Sequence, residues 1–405
     1  MNFLFLSELF YPHGGGAEYA TFLYAKLLSQ AGFDISVVTN KFSGESEVSK
    51  EGKLTVYRLP LLGEKGSGKY AILKRFDVLF SSFMRKMIKW ADVVYVPRFW
   101  FSAIPLAKTF GKPVITHLHD YIPICPLAIF YDVAKAEVCN PKSIICSPKC
   151  IYTYEKTRNR NFQETLTSVV LNSSVGRCLP KLVELSDAVI CVSKSQRSII
   201  AEKKLSLRKK LHIIYNPLPE FSTIEIKGDD FGYFGGPDVL KGFRVLCQAL
   251  SSLSYTGSGS VRIHSTKFQI PSRRLAKELM RLGFLLYDKL DESELDKVYE
   301  NIRAVVVPSI WHEPWPYVVV EALVQGRFLI ASRMGGIPEQ VEGCKGVMLF
   351  EAGNYNELAD SIEFVAGLER EKIVDFGCQN RETFLRRFDN ESSLKGFISV
   401  CEHLI

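Results

Sequence analysis

Short apolar runs alternate along this chain with longer stretches of helical periodicity. "NFLFLS" at residues 2–7 has strand length, "PHGGGAE" follows, a 3.6-residue apolar spacing predicts a helix from Ala17 to Gln30, Gly32 stops it, and "FDISVVTN" is the next strand. "LTVYRLPL", "DVVYVP", "PVITHLHD" and "DAVICVS" repeat the strand pattern, most of them separated by helical stretches. Uniformly apolar strands spaced by helices predict a mainly parallel sheet covered on both faces. The pattern lapses over Asn216 to Asp230, "NPLPEFSTIEIKGDD", which reads as an interdomain linker. It restarts with "FGYFGG", "SVRIHST", "GFLLYDKL", "RAVVVPS", "RFLIAS" and "GVMLF". The expected fold class is therefore α/β, with one doubly wound domain over 1–217 and a second over 225–384. A helical segment at 385–405 is expected to cross back to the first domain, and two such domains would leave a cleft between them.

Length supports two cores, since 405 residues exceed what one usually organises. Hydrophobic residues at 47% and charged residues at 23% describe an ordinary globular chain. The formal charge of +7 is modest, yet part of it clusters between Lys65 and Lys89, where Lys69, Lys74, Arg75, Arg85 and Lys86 alternate with Phe76, Leu79, Phe80, Phe83 and Met84. This predicts an amphipathic basic helix, either the solvated face of a packed helix or a peripheral contact with an anionic membrane. No apolar run reaches the ~18 residues of a spanning helix. "MNFLFLSELF" lacks a cationic start and meets Glu8 too early for a secretory signal. A cytoplasmic protein is expected, with the inner face of the membrane as its peripheral alternative.

The most informative stretch is "HEPWPYVVVEALVQGRFLIASRMGGIPE", residues 312–339. Pro314 and Pro316 can begin a helix but not continue one, so a helix is expected from near Trp315 to Gln325, ending at Gly326. Glu313 then lies just before it and Glu321 within it. A helix mouth after the carboxyl end of a strand offers free amides and a positive dipole end, an anion site suited to phosphate. A carboxylate there needs another partner, most simply sugar hydroxyls, and Glu321 could accept from a ribose diol. The plain alternative makes Glu313 a helix cap and Glu321 the partner of an arginine.

These residues carry a resemblance. "PSIWHEPWPYVVVEALVQGRFLIASRMGGIPEQV" resembles the signature of the retaining nucleotide-sugar glycosyltransferases of family 4, with Glu313, Glu321, Gly326, Gly335, Gly336, Pro338 and Glu339 at the matching positions. "PHGGGAEYA", "THLHD", "DAVICVSKS", "IIYNP" and "YFGGPDVLKG" extend the likeness over nearly the whole chain. The resemblance implies the GT-B fold, two Rossmann-like domains, and transfer of a sugar from a nucleoside diphosphate to a hydroxyl of a saccharide or lipid-linked acceptor, as in polysaccharide biosynthesis. It implies catalysis without a metal or other cofactor, and no nucleic-acid partner. It assigns Glu321 to the ribose, Glu313 to the donor sugar, the amides after Pro316, at Tyr317 and Val318, to the sugar and diphosphate, and Lys241 to the diphosphate charge. Gly15 and Gly16 would let backbone approach the donor, and His119 would orient the donor sugar. Alternation puts His117 and His119 on one face, so that choice rests on the resemblance. Two departures stand out: Gly236 replaces an arginine common in the first phosphate loop, and "HSTKF" replaces a G-x-G. They leave open a non-catalytic nucleotide-sugar-binding subunit or sensor, and a sugar-nucleotide epimerase is a third reading.

Ten cysteines without an export signal argue against a disulfide framework. Cys125, Cys139, Cys146 and Cys150 share a loop-like insertion at about 121–155, where four thiolates would close a structural zinc site; a cluster, a redox pair or unrelated thiols are the alternatives. "GEKGSGKY" imitates a phosphate-binding P-loop but has Tyr70 where a Ser or Thr would hold magnesium. "HEPWP" lacks the second histidine of a zinc protease, and "GGGAE" with Thr39 and Asn40 closing the next strand speaks against a nicotinamide enzyme.

Overall fold

Apolar runs become strands here wherever both faces are buried: Phe3, Leu4, Phe5 and Leu6 are fully enclosed, and every residue of Ile302–Val307 is buried. The computed structural model describes residues 1–62, 75–139, 147–158, 160–220, 223–256, 261–266, 273–287, 290 and 292–405. They form two units, Met1–Pro219 with Asp389–Ile405, and Glu220–Phe388.

In the first unit the strands are β1 (Asn2–Leu6), β2 (Asp34–Asn40), β3 (Val48–Glu51), β4 (Leu54–Leu59), β5 (Val93–Val96) and β6 (Val114–Leu118). A hairpin of β7 (Tyr131–Asp132) and β8 (Glu137–Val138) follows, then β9 (Ala188–Cys191) and β10 (Leu211–Ile213). The main sheet runs β10-β9-β6-β5-β1-β2-β4-β3, parallel throughout except for β3 on β4. The second unit holds β11 (Asp230–Tyr233), β12 (Ile263–Ser265), β13 (Phe284–Leu286), β14 (Ile302–Val307), β15 (Phe328–Ser332) and β16 (Val347–Phe350). Its order is β13-β12-β11-β14-β15-β16, all parallel. Both sheets are doubly wound, as the alternation predicts. In each, the chain leaves a central strand in one direction and returns to its other side: the reversal falls at β1/β5 in the first sheet and at β11/β14 in the second. Crevices at the carboxyl ends of such strands are where open α/β sheets bind ligands.

The last helix, Asn390–Glu402, belongs to the first unit. Phe397 is fully buried and packs on Phe3, Tyr24 and Tyr95 at centroid distances of 5.9, 5.2 and 5.4 Å.

The single basic helix expected over Lys65 to Lys89 is not what forms. Lys65, Lys69, Lys74 and the P-loop-like stretch lie outside the described residues; beyond them stand two short helices, Phe76–Leu79 and Ser82–Trp90. Ser81 makes the break, because its hydroxyl accepts from the Met84 amide at 3.1 Å and caps the second helix. Met84, Met87 and Ile88 of that helix face the core, while Phe76 and Phe80 are exposed. Among the described residues no helix is long and apolar enough to cross a membrane.

Truncating Phe397→Ala removes a fully buried ring packed against three elements and is expected to destabilise the first unit by about 3–5 kcal/mol. Denaturant unfolding followed through far-ultraviolet circular dichroism checks this; an unchanged midpoint would place the helix outside the core.

Candidate active site

The loops that follow β11 and β14 are stitched together. The Ile310 amide donates to Leu240 O at 2.9 Å, and a Cβ at Gly242, whose φ is +75°, would stand 1.7 Å from Pro308 O. This contact sets Lys241, immediately before Gly242, beside the end of β14. Tyr233 steadies the same loop, its hydroxyl donating to Gly236 O at 2.8 Å.

Glu313 is buried. Its Oε1 accepts from Lys241 Nζ at 2.6 Å and from Ser309 Oγ at 2.7 Å, so the cation and the hydroxyl share one oxygen. Ser309 is itself held, its carbonyl accepting from Ser332 Oγ at 2.6 Å. Lys241 stays partly exposed and lies 5.5 Å from the Trp311 ring centroid, so the ammonium keeps further donors available. Behind Glu313 stands the glycine pair: Gly336 donates its amide to Glu313 O at 2.7 Å, and a Cβ at Gly335, φ +57°, would lie 2.2 Å from that oxygen. The "GG-x-P-E" turn is thus the back wall of the acid.

The helix begins later than its prolines suggest. Pro316 is extended (φ −70°, ψ 119°) and is the N-cap, so the helix runs Tyr317–Val324 rather than from Trp315. Val319 already donates to Pro316 O at 3.1 Å, which places the amides of Tyr317 and Val318 at the positive end of the helix. Glu321 sits half-buried on the next turn, close enough to Tyr299 that its charge adds to burial in raising that phenol. Glu313, Lys241, Pro316, Tyr317, Val318 and Glu321 therefore all belong to the second unit, with Glu313 and Lys241 in direct contact at the β11/β14 reversal.

A different cluster occupies the β1/β5 reversal of the first unit. Gly15 is the N-cap of helix Gly16–Gln30, and its amide donates to Glu18 Oε2 at 2.7 Å. Glu18 pairs with Arg98, and Arg98 also reaches Glu8 at 3.5 Å. Glu8 follows β1, Arg98 follows β5 and His119 follows β6. Burial pushes the Glu8 carboxyl up to about 7 against the pull of Arg98. His117 is fixed by Tyr95, whose hydroxyl lies 2.6 Å from Nδ1; His119 stacks on His117 at 4.4 Å. Burial and the charge of Arg98 push His119 down to about 3, so its ring is neutral at any physiological pH. Its Nε2 has no hydrogen-bond partner among the described residues. Gln196 pins this strand end by donating to Leu118 O at 3.1 Å and Asp120 O at 3.0 Å. Glu8, Glu18 and Arg98 were not singled out as site residues by sequence reasoning, which used Glu8 only to argue against a leader. The one available signal was a carboxylate directly after an apolar strand and before a glycine loop.

Three of the four cysteines, Cys125, Cys139 and Cys150, lie near one another. Cys146 lies outside the described residues, and no three His, Cys, Asp or Glu side chains within them are grouped to hold a metal ion. Cys139 follows the β7–β8 hairpin and Cys150 faces it, with Sγ 3.7 Å from Tyr131 O. Burial, then the nearness of Cys125 and Cys150, pushes the Cys139 thiol up to about 12.

Two doubly wound units agree with the GT-B glycosyltransferase fold to which the comparisons with known proteins point. The family model described as Glycosyltransferase Family 4 matches residues 14–219, half of the chain, and that of the Glycosyl transferases group 1 matches residues 267–382. The chain belongs to glycosyltransferase family 4. An uncharacterized glycosyltransferase of Methanocaldococcus jannaschii is 29% identical over 58% of this chain and 65% of its own length, so the match spans just under two thirds of that relative. An uncharacterized protein from the cps region of Klebsiella pneumoniae is 22% identical over 84% of this chain and 87% of its own. Among solved structures, sucrose-phosphate synthase from Thermosynechococcus elongatus superposes with a TM-score of 0.72 at 16% identity, covering 100% of this chain and 98% of that one. Anabaena HepE, solved with UDP and glucose, gives 0.66 at 16% identity with both chains fully covered. These likenesses establish the fold.

A raised carboxyl pKa carries a sign. Folded Glu8 holds its proton up to about 7 while the unfolded group releases it near 4.5, so native stability falls as pH rises through that window. Glu8→Gln is expected to be more stable than the parent at pH 8 by ~1–3 kcal/mol, with the difference vanishing below pH ~4.5. Thermal melts across pH measure it, and a pH-independent difference would contradict the assignment.

Proposed function

We propose that this protein transfers a sugar, with retention of anomeric configuration, from a nucleoside diphosphate donor to a hydroxyl of a saccharide or lipid-linked glycan. The observation that carries the reading is the contact of Lys241 with buried Glu313 in the loop that leads into helix Tyr317–Val324. A cation and a positive helix end suit a departing diphosphate, and an acid with fixed orientation suits sugar hydroxyls. HepE, whose solved complexes hold UDP-glucose, shares the fold and supports this donor class.

In the transfer, the bond from the anomeric carbon to the diphosphate oxygen breaks, and the acceptor oxygen bonds to the same face of that carbon. The acceptor proton passes to a phosphate oxygen of the leaving group, so no protein base is required. Lys241 and the two helix amides stabilise the charge that builds on the diphosphate. Glu321 holds the ribose, and Glu313 the donor sugar. Neutral His119 orients the sugar by hydrogen bonding rather than by giving up a proton, as its lowered pKa favours. No metal or cofactor enters these steps.

A donor panel with an acceptor library, read by mass spectrometry and by the anomeric coupling of the product, tests the proposal. Retained configuration is expected, and Lys241→Ala or Glu313→Gln should lower kcat/KM by about a hundredfold or more with the fold intact. Nucleotide binding without turnover across the library would make the protein a binding subunit instead, and an inverted product would overturn the mechanism.

A further inference from the structure

Helix Phe162–Ser173 is inside out. Its polar residues Thr165, Ser168 and Asn172 are buried, and Phe162, Leu166 and Val170, spaced four apart on one face, are 67, 53 and 56% exposed. A helix at the surface of a soluble domain normally shows the reverse. The buried side is tied down by polar contacts: Ser168 Oγ donates to Glu155 Oε1 at 2.6 Å, Asn172 Nδ2 donates to Ser168 Oγ at 3.0 Å, and Arg160 forms an ion pair with Glu155 Oε2 at 3.0 Å. The helix is thus anchored by its polar stripe, and its apolar stripe is the surface.

That stripe continues into a pocket. Leu171 of the same helix, with Phe76, Phe80, Leu106, Val175 and Leu182, lines an apolar cavity of about 590 Å³, within the range of small-molecule sites. Phe76 and Phe80 are about half exposed at its mouth. Basic residues adjoin the lining segments in sequence: Arg177 and Lys181 stand exposed between the lining residues Val175 and Leu182, and Arg85, Lys86 and Lys89 are exposed on helix Ser82–Trp90, which follows Phe80. The nearby acid Asp77 is already met by Arg75 at 2.7 Å, and Glu164 is turned onto the Asn161 amide as part of a capping box.

We propose that this face of the first unit docks on an anionic phospholipid bilayer, with the Phe162–Val170 stripe and Phe76 and Phe80 in the acyl boundary, the lysines and arginines on the phosphates, and one acyl chain in the pocket. Apolar burial plus basic residues on one face is the chemistry of an interfacial protein. Charge complementarity selects anionic lipid as the occupant over a second copy of this chain, whose matching face would present the same positive charge. The inference deepens the lipid-linked branch of the acceptor reading, but docking needs neither donor nor turnover and stands or falls separately.

The test is sedimentation of the full chain with vesicles of phosphatidylcholine alone or mixed with phosphatidylglycerol, at low and high salt, beside the surface variant Leu166→Asp/Val170→Asp and the charge variant Lys86→Glu/Arg177→Glu. Melting curves check that each variant is folded, and calorimetry with nucleoside diphosphates reports the donor site independently. Binding to the anionic vesicles alone, at least tenfold weaker in either variant and weakened by salt, with donor binding unchanged, is expected. Equal partition onto both vesicle types, binding that survives both variants, or no binding would overturn the proposal. So would a dimer in analytical ultracentrifugation that dissociates in the Leu166→Asp/Val170→Asp variant, since the face would then belong to a second copy.

Discussion

A carboxylate taken out of water must be compensated where it lies, and Glu313 is the place where this chain meets that demand. Its charge is answered by Lys241 and Ser309 on one oxygen, and its backbone is fixed by Gly335 and Gly336 from behind. Three loops, after β11, β14 and β15, are therefore locked to one another by a single residue, through its side chain and its backbone. Because Lys241 keeps part of its surface open, the pair both stabilises the loops and presents a cation at a helix mouth. A ligand phosphate there would complete the lysine's coordination at little reorganisation cost.

The first unit answers the same problem differently. Arg98 serves two acids, Glu18 and Glu8, and the demand at Glu8 is eased by protonation, since burial raises that carboxyl to about 7. The two strand-end clusters thus differ in kind. One holds a buried acid against a partly exposed cation; the other places a neutral imidazole and a carboxyl that changes charge near pH 7 within the field of one arginine, Arg98. On the proposed function, the first cluster meets the diphosphate of the donor.

Much of the fold was legible because parallel strands buried on both faces are written as uninterrupted apolar runs, and "RAVVVPS" or "NFLFLS" admit little else. Edge and insertion elements were not. β3, "VSKE", is polar and largely exposed, and the short hairpin of β7 and β8 carries no periodicity to read. The break at Ser81 depends on one hydroxyl turned to one amide, which a count of basic and apolar residues cannot reveal. At the site, Glu313, Lys241 and the glycine pair were readable from motif order, but their contact joins residues 72 positions apart. The distinction between His117 and His119 was invisible to alternation because it is made by Tyr95, on a neighbouring strand. Arg98 with Glu8 and Glu18 escaped notice for the same reason: a charge cluster closed by tertiary contacts has no local signature.

The central claim is that the mouth of helix Tyr317–Val324, with Lys241, grips a diphosphate. A crystal structure of the complex with a nucleoside diphosphate tests it most directly. The account predicts phosphate oxygens within hydrogen-bond distance of the Tyr317 and Val318 amides and of Lys241 Nζ, with the ribose on Glu321. A nucleotide bound elsewhere in the second unit, with the helix mouth facing only solvent, would contradict it.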